Sequence, residues 1–500
     1  MKTNRKLLNI AIIITFSSII GKILGFIRDI LISNYYGSSS ISDGFFFSLS
    51  LPILVLGIFT SSTDSAIIPM YNSIKVRKSA HIADQWFIKI TTIISIIGVM
   101  SSFLILINPI FFIKIFSPGF NNEQIAYATK YLKYFSFTGL FHILYCFFCS
   151  YNAIFFRNEA RSILSFSTNL IVVVTLLIKP DANMHYITIA YLIGSALSGF
   201  IPIMLSRKVG LKNYNIKKPI FDTDVTAFWK FFFPIMGVAA ITNLNSFVDK
   251  FIASKMAVGS ITYIVYANKI PSIFDSIFII GISSVLLPFL SKTFIENDLN
   301  KFREISDKSI LLLYTMLFPL FMIIFFKSEV IVKIVFLRGA FKYEDAKYVS
   351  GLLQYYSPMI IFVPIQTIFF KIFHSTNDTK TPLNVNIISI TFNIILSIIL
   401  SKLVGINGLA IATSISLIIS CIILSLILSK RNKLGLKFGN RKLHKLFVFS
   451  ILSFIVANSM KQLFGEGVLG LLVYGILNIM INILIATIFY KKDLIEVFRK

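Results

Sequence analysis

Residues Gly21 to Pro69 read GKILGFIRDILISNYYGSSSISDGFFFSLSLPILVLGIFTSSTDSAIIP. The stretch is mostly apolar, yet Lys22, Arg28, Asp29, Asp43 and Asp64 stand among its Ile, Leu and Phe runs. An ionisable side chain inside a membrane-spanning helix costs roughly 2.5–3.5 kcal/mol on insertion scales, so such groups tend to face a polar interior and to have a job there. Pro52 and Pro69 interrupt the second apolar run. Backbone groups freed by proline need neighbours or a water-lined cavity to satisfy them. The two runs are therefore expected to line a wet, mostly cationic cavity in a membrane protein.

The rest of the chain extends that reading. It has 500 residues, of which 56% are hydrophobic, and a mean hydropathy of +0.81, which predicts an all-α polytopic membrane protein. Fourteen apolar spans are expected between residues 9 and 490. The basic N-terminus (Lys2, Arg5, Lys6) imitates a secretory signal, but the apolar run continues past Arg28 with no small-residue cleavage site, so a retained first span is expected. The net charge of +26 does not require a nucleic-acid partner. Most Lys and Arg sit in short loops, such as Lys75, Arg77 and Lys78, or Arg207, Lys208, Lys212, Lys217 and Lys218, or the basic stretch 430–445. These loops share the side of the N-terminus, which puts both termini in the cytoplasm. Cys146 and Cys149 form a C-x-x-C with no partner pair, and the five His form no cluster, so packing is expected of them and no metal site. No acid–base pair on an outer loop argues for an enzyme.

The chain repeats itself at a shift of about 220 residues. Pro52 and Pro69 are matched by Pro271 and Pro288. Asp29 lies loosely over Asp249, Phe116–Phe120 over Phe336–Phe341, and Tyr134-Phe135-Ser136 over Tyr355-Tyr356-Ser357. Four coincidences in one order predict a duplicated six-span unit, with lobes at 1–220 and 221–430 and two further helices in 431–500. Both halves keep one orientation, the arrangement of a pseudo-two-fold transporter with its site between the lobes.

These residues resemble the MurJ/MviN family. Leu24-Gly25-Phe26-Ile27-Arg28-Asp29, Ser42-Asp43-Gly44-Phe45-Phe46 and Leu51-Pro52 look like its first two helices. Val248-Asp249-Lys250 and Tyr266-Ala267-Asn268-Lys269 look like its seventh and eighth, and Gly408–Ser414 like its twelfth. The resemblance implies a flippase of the exporter superfamily that also holds O-antigen flippases and multidrug exporters. Its cargo would be lipid II, the undecaprenyl-diphosphate-linked peptidoglycan precursor, moved across the bacterial inner membrane by alternating access. It further implies that the last two helices form a groove for the lipid tail. It gives Arg28, Lys22 and Lys269 to the diphosphate, with Asp29, Asp43, Asp249 and Lys250 as further cavity residues. Asn393, Ser397 and Thr413 match a family sodium site except that Ser397 replaces a carboxylate. A Na+ or H+ gradient or the membrane potential is expected to drive the cycle, with no cofactor. The partners expected are the lipid-linked glycan and membrane lipids, for a monomer.

Each of these residues also has a plainer reading. Arg28 and Asp29 can pair with each other, Lys22 and Lys269 can snorkel to an interface, and Asp43 can cap a helix start. Asp249 and Lys250 can be an internal structural pair. Gly21-x-x-x-Gly25 reads as a close-packing site. Leu56–Ser62 lacks the arginine and glutamate that the family carries in its second helix, whereas Asp64 and Asp275 are additional. Another polyprenyl-linked glycan therefore stands as the alternative cargo, and a small-molecule exporter as a further one.

Overall fold

A backbone without water must satisfy its own N–H and C=O groups, and in hydrocarbon only helices or closed barrels do so. The computed structural model is helical, with no strand among the described residues, which are 2–60, 62–155, 157, 159–179, 183–211, 222–430, 440–461, 463–465 and 467–498. The helices are α1 (Lys2–Tyr36), α2 (Ser40–Thr60), α3 (Thr63–Arg77), α4 (Ala80–Ile107), α5 (Pro109–Phe116), α6 (Asn122–Phe135), α7 (Thr138–Ile154), α8 (Ile163–Ile178) and α9 (Met184–Lys208). They continue with α10 (Thr223–Ser254), α11 (Ser260–Ile295), α12 (Leu299–Phe336), α13 (Tyr343–Tyr356), α14 (Met359–Ser375), α15 (Lys380–Val404), α16 (Asn407–Lys430), α17 (Asn440–Met460) and α18 (Val468–Phe498). A 3-10 turn, Glu159–Ser162, precedes α8.

Every expected span lies on one helix or on a consecutive pair. Among the described residues nine such stretches are long and apolar enough to cross a membrane. The second span breaks differently from the expectation. Pro52 lies inside α2 and Pro69 inside α3, and the helix breaks between them, before Thr63. There Ser62 Oγ donates to Ile58 O at 3.3 Å and Thr63 Oγ1 to Phe59 O at 2.9 Å, so hydroxyls serve carbonyls where the ladder stops. Other spans break at positions that the expected repeat pairs. Ser136 separates α6 from α7, and Ser357 separates α13 from α14. Phe120 and Phe341, both buried, occupy the matching turns before α6 and α13.

Packing divides the chain into two compact units, Met1–Thr262 and Tyr263–Lys500. The expected lobe boundaries at 220/221 and 430/431 fall at the stretches 212–221 and 431–439, outside the described residues, as do Lys212, Lys217, Lys218 and most of the basic stretch 430–445. In the first unit α1 packs on α8, α8 on α9, α2 on α6 and α7, and α10 on α2, α3 and α4. Asp222 caps α10, accepting from Val225 N at 2.9 Å and from Lys89 Nζ of α4 at 2.7 Å. The core here is aromatic, with Tyr71, Trp86, Phe87, Tyr151, Phe228 and Phe232 buried together. Asp84 Oδ1 accepts from the hydroxyls of Tyr71 at 2.7 Å and Tyr151 at 2.8 Å, which joins α3, α4 and α7. In the second unit α15 packs on α16, while α12 contacts α13, α14, α17 and α18.

Candidate functional site

Arg28 sits on α1 with its guanidinium enclosed by three helices. Nε and Nη2 donate to Asp29 Oδ1 at 2.8 and 2.6 Å, and Nη1 donates to Asn169 Oδ1 of α8 at 2.9 Å. The guanidinium carbon lies 5.7 Å from the ring centroid of Tyr191 on α9. Asn169 Nδ2 donates to Gly21 O at 2.9 Å. A Cβ at Gly25 would stand 3.0 Å from that same nitrogen. The Gly21-x-x-x-Gly25 pair is thus the bed for an asparagine from α8, as the close-packing reading expected. Arg28 is 7% exposed and Asp29 is fully buried, so the plainer reading, mutual pairing, describes how these two stand.

Asp43 belongs to a separate network. Its Oδ1 accepts from Thr262 N at 2.9 Å and Thr262 Oγ1 at 2.7 Å, and its Oδ2 from Gly259 N at 2.7 Å and Gln124 Nε2 at 2.9 Å. Asp43 is therefore a helix cap, but of the first turn of α11 rather than of α2. Two glycines permit it. Gly259 has φ +94°, the left-handed region that a side chain disfavours. Gly44 lets α6 approach so closely that a Cβ would lie 2.9 Å from Ala128 N. Gln124 is itself fixed by a capping box, with Asn121 N donating to its Oε1 at 3.0 Å.

Asp64, one of the additional carboxylates, pairs with Arg161 through Nη1 at 2.7 Å and Nη2 at 3.0 Å, and accepts from Ser150 Oγ. Tyr145 OH in turn donates to Arg161 O. Lys22 and Lys250 are half-buried on α1 and α10, Asp249 is buried beside Lys250, and Asp275 is buried on α11. Lys269 is half-buried on α11 within the second unit.

The three residues that match the family sodium pattern do come together. Asn393 Nδ2 of α15 donates to Thr413 Oγ1 of α16 at 3.1 Å, and Ser397 Oγ donates to Asn393 Oδ1 at 3.4 Å. These groups are engaged with one another, and all are neutral. The trio supplies neutral oxygens only, without the carboxylate that the family pattern carries. Among the described residues no three His, Cys, Asp or Glu side chains converge as metal ligands would.

Sequence reasoning does not reach Asn169, Gln124 or Arg161 as site residues. Gln124 carried a signal, since Asn121-x-x-Gln124 is a capping-box spacing. So did Asn169, a lone amide inside the apolar run of α8.

A family profile described as "Lipid II flippase MurJ" matches residues 32–478. The chain belongs to this family. Curated MurJ relatives include the probable lipid II flippase MurJ of Aquifex aeolicus, 29% identical over 382 residues, covering 74% of this chain and 73% of the relative. That of Thermotoga maritima is 23% identical over 484 residues, covering 96% of each. A solved MurJ structure, "Lipid II flippase MurJ, inward closed conformation", aligns with a TM-score of 0.84 at 25% identity over 97% of this chain and 100% of its own. A multidrug resistance MATE family transporter aligns with a TM-score of 0.65 at 12% identity over 88% of this chain and 99% of its own, a likeness of fold. The MurJ fold, a multi-pass membrane protein of the exporter superfamily, is thus the frame that carries the Arg28 and Asp43 networks.

Proposed function

We propose that this chain flips lipid II across the bacterial inner membrane for peptidoglycan synthesis, by alternating access and without a chemical reaction. The observation that carries the reading is the MurJ family match over residues 32–478, with structural likeness over 97% of the chain. An O-antigen-type glycan is not favoured, because the curated relatives are lipid II flippases, and a small-molecule exporter is not, because the likeness to MATE transporters is of fold only. In this reading all fourteen spans cross, both termini are cytoplasmic, and the flippase works as a monomer.

Arg28 is the group we assign to the diphosphate. A guanidinium can hold phosphate oxygens through paired N–H donors while a carboxylate fixes its plane. Asp29 supplies that carboxylate, and a phosphate oxygen would replace Asn169 Oδ1. Within the first unit Lys22 adds positive charge, and Asp249 with Lys250 lines the path; Lys269 is a diphosphate residue by the family resemblance. A Na+ or H+ gradient or the membrane potential drives the cycle, with Asn393, Ser397 and Thr413 the groups that a sodium ion would meet. The test is survival of bacteria depleted of their own lipid II flippase. Expression of this chain should rescue them, Arg28→Lys should rescue weakly, and Arg28→Lys/Asn169→Ala should not rescue at equal membrane abundance. Failure of the wild-type chain, present in the membrane, would overturn lipid II as cargo.

A further inference from the structure

The second unit holds a cavity of about 1000 Å³ apart from the networks above. Its walls come from α12, α13, the first residue of α16 and the α17–α18 connection. α12 leaves helical geometry at Lys327 (φ −115°, ψ 22°). Lys327 is 5% exposed, and its Nζ donates to Lys461 O at 2.8 Å and Phe464 O at 3.1 Å. The same ammonium lies 5.3 Å from the ring centroid of Tyr474 on α18. Lys327 thus ties the α17–α18 connection to the kink and lends its charge to the cavity wall.

Three features define what would fit. The first is charge. Lys327, Lys347 and Lys461 line the cavity, against Glu329 and Glu344. Glu329 is already engaged, by Lys333 Nζ at 2.8 Å and Tyr343 OH at 3.0 Å. The balance left to a ligand is cationic. The second is depth. The apolar run of α12 from Ile310 to Phe326 is, at 1.5 Å per residue, roughly 25 Å long, close to the ~30 Å of a hydrocarbon core. Lys327 follows that run directly, as Lys461 follows the apolar run of α17. On the proposed placement in the membrane, the cavity lies toward the end of the α12 span, on the side opposite the basic loops. The third is an acceptor. Asn407 Oδ1, on the cavity wall, is buried with no hydrogen-bond partner, so a donor on the ligand would satisfy it.

We propose that this cavity is a binding site for a lipid-borne phosphate with a hydroxyl close by. Lys347 and Lys461 take the phosphate oxygens, as basic pockets between membrane helices do. Lys327 adds charge from the wall, Asn407 accepts from the hydroxyl, and the chain leaves past Phe326 and Phe464. The phosphate has two possible sources, a resident phospholipid or the diphosphate-linked cargo after transfer.

The purified full-length chain in detergent would be titrated with dioleoylphosphatidylglycerol, with lipid II and with dioleoylphosphatidylcholine, which carries no net charge. Lys347→Gln/Lys461→Gln should weaken an anionic lipid about ten-fold or more, while Lys402→Gln, at an exposed lysine off the cavity, should not. Weakening of phosphatidylglycerol identifies the resident source, and weakening of lipid II alone identifies the cargo. If neither is weakened, or if phosphatidylcholine is weakened equally, the proposal is overturned. Tyr348→p-benzoylphenylalanine keeps all the charges and provides an independent readout. It should photocrosslink the same lipid, and absence of any lipid adduct would equally overturn the site.

Discussion

Two arginine–carboxylate pairs in the first unit differ little in length and greatly in setting. Arg28–Asp29 closes at 2.6 Å with side-chain exposures of 8% and 0%, and Arg161–Asp64 at 2.7 Å with 35% and 47%. Distance alone would rank them equal. Burial separates them, because water screens the second pair and competes for both partners, whereas the first is desolvated and depends on its mate. The buried pair behaves as part of the helix packing, held by Asn169 and Tyr191. The half-exposed pair is the one that water and salt can weaken.

The largest effect should come from stranding the buried partner. Arg28→Ala leaves Asp29 without its counter-ion and should cost roughly 3–5 kcal/mol, read as a lowered melting temperature in detergent. Arg28→Ala/Asp29→Asn should recover most of that loss. If the double variant melts no higher than the single, burial of the pair is not what distinguishes it. Next is Asp43→Ala, which removes the acceptor of the Gly259 and Thr262 amides and should cost about 1–3 kcal/mol for each donor left unsatisfied. Hydrogen exchange at residues 259–262 should quicken, and Asp43→Asn, which keeps one acceptor oxygen, should lie between. Arg161→Gln should cost less than about 1 kcal/mol, and the difference from wild type should fade at high salt.

The smallest effect is expected at Asp222. Partial burial pushes its carboxyl up, but the Lys89 ammonium and the Val225 N–H outweigh this and hold it below the usual carboxylate range. Its contribution to stability is therefore present at neutral pH and is lost as pH falls through that depressed value. Asp222→Asn should lower the melting temperature slightly at pH 7, with the gap closing in strong acid. A gap that persists in acid would mean that the cap, not the charge, carries the stabilisation.

The site was legible in unequal parts. Arg28 and Asp29 stood out because ionisable residues in an apolar run are costly, a fact local to the run. Their partner Asn169 lies far along the chain, and nothing near Arg28 announces it. Asp43 was legible as a cap, but the helix it caps begins at Ser260, so the destination could not be read. Lys327 directly follows the apolar run Ile310–Phe326, and nothing local in the sequence marks it as a cavity residue. Only the kink in α12 and the carbonyls of the α17–α18 connection turn it inward.

By itself the sequence determined the fold class, the membrane setting and the family. Each rests on patterns of hydropathy, loop charge and motif order that hold along the chain, because a helix in hydrocarbon satisfies its backbone within its own segment. Tertiary structure decided where the second span breaks, that Arg28 is held by α8 and α9, that Asp43 serves the start of α11, and that three lysines meet around one cavity. Those outcomes depend on which buried polar group finds which partner. In a low-dielectric interior an unpaired group is costly enough that distant residues are brought together to satisfy it.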